Sequence, residues 1–237
     1  MQKLFAPLFL FLFLGLVTPN AVLAFEGKMV MTVTNGQKTD NINMTVKDKM
    51  LMIEAPSMKG SRVIINTASG ETNVIMDGEG QKMAIKLNIN SLKKVGGLSA
   101  FMGNTNTPGK QPTVKATTET KTINGYKCTK YLVTDDDITG EYWITKDITL
   151  NITSLFGMDN AEFANGMVIK GSGKNNKTGE TFAFDVKPTA QTIADTTFKV
   201  PAGYQQMDMT QVFEQMAQSQ DPNAMKKMFE GMQKPKK

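Results

Sequence analysis

Methionine is the residue whose chemistry this sequence offers most often, with 18 in 237 residues and several in close pairs. Met29-Val-Met31, Met50-Leu-Met52, Met207-Asp-Met209 and Met225-Lys-Lys-Met228 have spacings at which two thioethers could share one Cu(I), the soft ion that thioethers select. The plainer reading is geometric, because an i, i+2 pair on a strand shares a face by pleat alone. Around these pairs the usual catalytic and ligating groups are missing: there is no histidine, and Cys128 is the one cysteine. That excludes Ser-His-Asp and Cys-His catalysis, histidine metal cages and cysteine zinc sites. Asp135-Asp136-Asp137, followed by Gly140 and Glu141, resembles a calcium loop only superficially. The alternating oxygen ligands and the glutamate at the twelfth position are absent, so a solvated hairpin turn is expected there. Asp and Glu alone leave a paired-carboxylate hydrolase conceivable, yet no pair is set apart by its spacing. No catalytic residue, metal or cofactor is assigned, and the chain is expected not to be an enzyme.

The elements that would position the methionines read as strands. Phe182, Phe184 and Val186 alternate with Ala183, Asp185 and Lys187. Ile42, Met44 and Val46 alternate in the same way, as do Met83, Ile85 and Leu87. Period two with one polar face means an antiparallel sheet packed on one side. Asn35-Gly36, Ser69-Gly70, Asp77-Gly78, Asn124-Gly125 and Thr178-Gly179 fall where hairpins need positive backbone angles, so an up-and-down meander is expected. Two stretches break the pattern. Asn90 to Met102 spaces Leu92, Val95, Leu98 and Met102 as a helix weakened by Gly96-Gly97, and Asp147 to Phe163 is a second helix or loop lying across the sheet. The expected class is therefore α+β, a curved antiparallel sheet forming an incomplete barrel with covering helices.

The first 24 residues read as a signal peptide. Lys3 supplies the positive start, Leu4 to Val17 the apolar core, and Val22-Leu23-Ala24 a small-residue cleavage site. The apolar run is shorter than the roughly 20 residues that span a bilayer. With no cysteine at the cut, the exported chain is expected in the periplasm, cleaved after Ala24 and unlipidated. Cys128 has no partner for an internal disulfide and reads as a small buried apolar residue. All but one of the 27 basic residues are lysine, Arg62 being the exception. That argues against sequence-specific nucleic-acid reading, which favours arginine forks. No nucleic-acid partner is expected.

Residues 206–237 change character, being rich in Gln, Met and Lys. Met209, Val212, Phe213 and Met216 fall at i, i+3, i+4 and i+7, and Met225, Met228, Phe229 and Met232 repeat that spacing. Asp208 and Asp221-Pro222 are candidate helix starts. Helices this short must bury their stripes against something: the sheet, a protein partner, or a membrane surface helped by the terminal lysines.

The runs Lys121 to Val133 (KTINGYKCTKYLV), Gly140 to Ile148 (GEYWITKDI) and Phe198 to Tyr204 (FKVPAGY) resemble a family of exported bacterial proteins of unknown function. That family is similar in turn to the outer-membrane lipoprotein carrier and receptor superfamily. The resemblance spans roughly residues 25 to 205 and implies an incomplete antiparallel barrel whose concave face holds acyl chains or another apolar ligand.

Three units are thus expected: a signal peptide over 1–24, a half-barrel over 25–205 and a helical tail over 206–237. The expected ligand is a lipid, acyl chain or lipidated protein. Its lining is drawn from Met29, Met31, Met44, Met50, Met52, Met76, Met83 and Trp143, with Leu98, Phe101 and Met102 as a lid. A second reading makes the chain an interaction module that docks a partner or membrane through Met209, Phe213, Met216, Met225, Met228, Phe229 and Met232. Cu(I) binding comes third.

Overall fold

Alternation along the chain becomes strands wherever the structure can be described. A computed structural model describes residues 25–58, 60–78, 81–94, 112–136, 138–150 and 166–219. The strands are β1 (Gly27–Asn35), β2 (Lys38–Lys47), β3 (Met50–Glu54), β4 (Arg62–Asn66), β5 (Glu71–Gly78) and β6 (Gln81–Asn88), then β7 (Thr113–Ile123), β8 (Tyr126–Thr134), β9 (Ile138–Thr145), β10 (Met167–Asn175), β11 (Thr181–Ala190) and β12 (Gln205–Asp208). All lie in one sheet ordered β12-β6-β5-β4-β3-β2-β1-β11-β10-β9-β8-β7. It consists of two meanders, β1 to β6 and β7 to β11, joined where β1 pairs with β11. Neighbours are antiparallel except β12, which runs parallel to β6. Since β7 and β12 form the two ends, the sheet is open.

Local chemistry explains the meanders. Asn124 and Gly125 take φ of 51° and 87° in the β7–β8 turn, the left-handed angles that an Asn-Gly hairpin supplies. The β2–β3 turn escaped the sequence reading because it uses Asp48, at φ 52°, with no glycine beside it. Asp135 accepts the Ile138 amide in the β8–β9 turn, so the acidic run closes a hairpin there.

The expected α+β balance is corrected by this sheet: the described chain is mostly β. Its two α-helices among the described residues are α1 (Ile89–Lys94) and α2 (Thr210–Ser219), and both pack at the β6 end rather than across the sheet. The helix expected over 90–102 is realised as the six residues of α1, ahead of the Gly96-Gly97 pair, and its remainder lies outside the described residues. Residues 147–150 are not helical, and 151–163 lie outside the described residues. The first tail helix forms as α2, where Asp208 accepts the Thr210 amide at 2.9 Å. The second lies outside the described residues.

Within the second meander, β10 and β11 part along a seam. β10 pairs with β11 only from Lys170 opposite Asp185 to Lys174 opposite Thr181. A register shift between Val168 and Lys170 marks where β10 bends away. Beyond Asp185, β11 continues with β1 alone. The turn residue Asn124 reaches this seam, its Nδ2 donating to the Val186 carbonyl at 2.8 Å and to Asp185 Oδ1 at 3.0 Å. A β7–β8 turn that touches β11, past β9 and β10, requires the sheet to curl. Two residues beyond Val186, on the same side of the strand, Pro188 has no N–H left to satisfy.

Candidate ligand-binding face

Alternation on β1 to β6 sends one set of side chains to a single large apolar cluster. Met29, Met31, Met44, Val46, Leu51, Ile53, Val63, Ile65, Val74, Ile85 and Leu87 are buried in it. Cross-strand register stacks them, with Met29 beside Met44, Met44 beside Ile53 and Met76 beside Met83. Met29 and Met44 are 1% and 2% exposed, so they are core, whereas Met76 and Met83 are half-buried at its border. Cys128, Met167 and Ile169 join the same cluster from the second meander, and half-buried Trp143 packs against it. The Lys130 ammonium stands 5.9 Å from the Trp143 ring centre, held by Glu141 and by Glu119 at 3.3 Å. Burial pushes the Cys128 thiol up to about 11, so it is neutral and inert near pH 7.

The residues proposed as one lining therefore divide. Met29, Met31, Met44, Met76, Met83 and Trp143 belong to the large cluster. Met50 and Met52 belong to the opposite face with Ile64, Ile75 and Ala84. Pleat is the reason, since Leu51 and Ile53 of the same strand take the cluster side. Leu98, Phe101 and Met102 lie outside the described residues, as do Met225, Met228, Phe229 and Met232. Met209 packs against the large cluster. Phe213 and Met216 lie on α2, but their side chains are outside the description.

What covers Met52 is a strap rather than a helix layer. After β11 the chain crosses the back of β1 to β6 and ends in β12 on the β6 edge. Phe198, Val200 and Tyr204 pack on Met52, Ile64, Ile75 and Ala84. Tyr204 donates to Asp77 Oδ2 at 2.7 Å. The FKVPAGY run is thus the strap's set of anchors. At its start a clamp holds it: the Glu26 carboxylate accepts the Ile193 amide at 2.7 Å, and Lys47 Nζ donates to the Ile193 carbonyl at 2.8 Å. Lys47 also pairs with Asp195 at 2.6 Å and with Glu26 at 3.8 Å. The hydrogen bond to Asp195 raises the Lys47 pKa above its ordinary value, and Lys47 in turn lowers that of Asp195. Residues so far apart in the chain carry no periodic signal, and the sequence reading missed the clamp. Between strap and sheet lies a groove of about 530 Å³ lined by Lys28, Val30, Asn43, Thr45, Met52 and Glu54, with Gln191 to Ala194 as a wall.

Among the described residues, no three His, Cys, Asp or Glu side chains gather as a metal site, and no helix is long and apolar enough to cross a membrane. No curated protein matches the chain. Solved structures do. The structure of PNGF-II matches with TM-score 0.46 and 15% identity over 83% of this chain, which spans only 33% of that one. An uncharacterized conserved protein from Thermus thermophilus matches with TM-score 0.44 and 10% identity, covering 77% of this chain and 91% of that one. A putative outer membrane lipoprotein-sorting protein domain from Vibrio parahaemolyticus matches with TM-score 0.32 and 11% identity, covering 73% and 88%. The model of a family described as a domain of unknown function (DUF4412) matches residues 25–204, nearly all of the twelve-stranded sheet together with its strap, and the chain belongs to that family.

Proposed function

We propose that this chain is an exported, non-enzymatic periplasmic protein, its first 24 residues removed after Ala24, that holds an apolar ligand against the methionine-rich face of the sheet. The ligand class is a lipid, an acyl chain or a lipidated protein. One observation carries the reading: at the border of the Val, Ile and Leu cluster two long, unbranched thioethers, Met76 and Met83, stand side by side across β5 and β6 and are only half-buried. Strands normally favour β-branched side chains, which hold one shape, whereas methionine adapts to apolar partners of varied shape. The motif runs resemble a family of exported proteins that is similar in turn to the lipoprotein carrier superfamily, which supports the same reading.

Native mass spectrometry with organic extraction, on protein purified from its own periplasm without detergent, tests it. A stoichiometric co-purifying lipid is expected, and the variant Met76→Thr with Met83→Thr should lose it while remaining folded. An empty protein that takes up no added phospholipid would overturn the assignment. The interaction-module reading draws on Met207 of β12 and Val212 of α2, which are 36% and 39% exposed. Under that reading deletion of the tail abolishes association with a partner or membrane and leaves lipid content unchanged.

A further inference from the structure

The groove behind the sheet plays no part in holding an apolar ligand on the opposite face. Its floor is a patch of two rows on three strands. Register sets Lys28, Thr45 and Met52 side by side in one row, and Val30, Asn43 and Glu54 in the next. Lys28 and Glu54 hold opposite corners, about 12 Å apart from strand spacings of about 4.8 Å and a rise of about 3.4 Å per residue. The side chains of Lys28, Asn43 and Glu54 make no hydrogen bond or ion pair with other described residues. Arg62, opposite Glu54 in register, makes no ion pair with it either. The strap wall is also partly unspent. Gln191 and Ile193 direct their amides to Glu26, while Thr192 between them lines the groove with its own amide and carbonyl unpartnered among the described residues.

We propose that this groove binds a short extended peptide with free termini, three or four residues long. Its ammonium meets Glu54 and its carboxylate meets Lys28, Asn43 and Thr192 serve its amides, and a side chain lies on Val30 and Met52. Three or four extended residues span about 10–14 Å, which matches the corner-to-corner distance. The groove volume falls in the range of about 300–1,000 Å³ common to small-ligand sites. An acyl chain in the same place would cover two opposite charges and an amide without pairing any of them, which is costly.

The test uses the exported full chain labelled at methionine and valine methyls, titrated with Ala-Leu-Ala bearing free termini and with the same peptide acetylated and amidated. Saturable shifts are expected at Met52 and Val30 and none at Met76 or Met83. The capped peptide and Lys28→Glu should each weaken binding about tenfold or more, and the double exchange Lys28→Glu with Glu54→Lys should restore it with the peptide reversed. Unchanged methyl dispersion confirms that each variant is folded. Absence of saturation at millimolar peptide, equal binding of the capped form, or failure of the double exchange to rescue would overturn the proposal. Lipid retention is read separately at Met76 and Met83, so either site can fail alone.

Discussion

One side chain at a turn holds the seam where β10 and β11 part. Asn124 serves twice: it tolerates φ of 51° in the hairpin, and its amide spans to Val186 and Asp185. Glycine would keep the first role and lose the second, while alanine would lose both, because a left-handed angle strains it. Asn124→Gly should therefore cost about 1 kcal/mol, the net worth of the lost hydrogen bonds, and Asn124→Ala about 1–2 kcal/mol more. Urea unfolding of the two variants checks the order, and equal stability of Gly and wild type would show that the bond across the seam is idle. The same scale shows what the sequence allowed. The Asn-Gly pair announced the turn, and Cys128 was legible as a buried apolar residue. The destination of the Asn124 amide was not legible, since Asp185 and Val186 lie some sixty residues away and nothing in their spacing refers to it.

At the scale of elements, the strands were readable because their pleat is written in the sequence, as with Ile42, Met44 and Val46. The strap was not, because Phe198, Val200 and Tyr204 follow no regular period, and the surface they cover explains why β3 and β4 are apolar on both faces. Sequence alone put Met50 and Met52 with Met29, and only the register separates them. The strap also makes a prediction about pH. Asp195 has a lowered pKa, so its contribution exists above the ordinary carboxylate value of 3.8 and is lost as pH falls through its folded pKa. Lys47 has a raised pKa, so its share is intact below 10.5 and lost as pH rises through the folded value. Hydrogen exchange at the Ile193 amide, corrected for intrinsic rate, should show constant protection from about pH 5 to 9 and a decline on both sides. Lys47→Met should lower protection throughout and flatten the alkaline decline, and a wild-type profile in that variant would mean that packing of the buried Ile193 side chain alone holds the strap.

Across the whole molecule the open sheet has two ends that are managed differently. β7 carries Lys115 and Lys121 and a register irregularity between Ala116 and Thr120, the features that discourage another strand from adding. β6, by contrast, is apolar at Met83, Ile85 and Leu87 on one face and Ala84 on the other, and it is covered by the four residues of β12. The parallel pairing of Gln205 to Asp208 with Met83 to Lys86 is extended by the Met209 amide, which donates to the Lys86 carbonyl at 2.8 Å. Beyond it α2 packs on β6 and α1. Among the described residues, closing this edge is thus a task of the chain between Tyr204 and Ser219. A chain ending at Ser219 should keep the association state and the thermal stability of the full chain. One ending at Tyr204 keeps the strap anchors but bares the row of β6 backbone groups, and it should self-associate in a concentration-dependent way. Light scattering across a dilution series decides between them. If the shorter chain stays monomeric, β12 is an ornament of the fold. If both chains associate, the residues after Ser219 share the work of covering the edge.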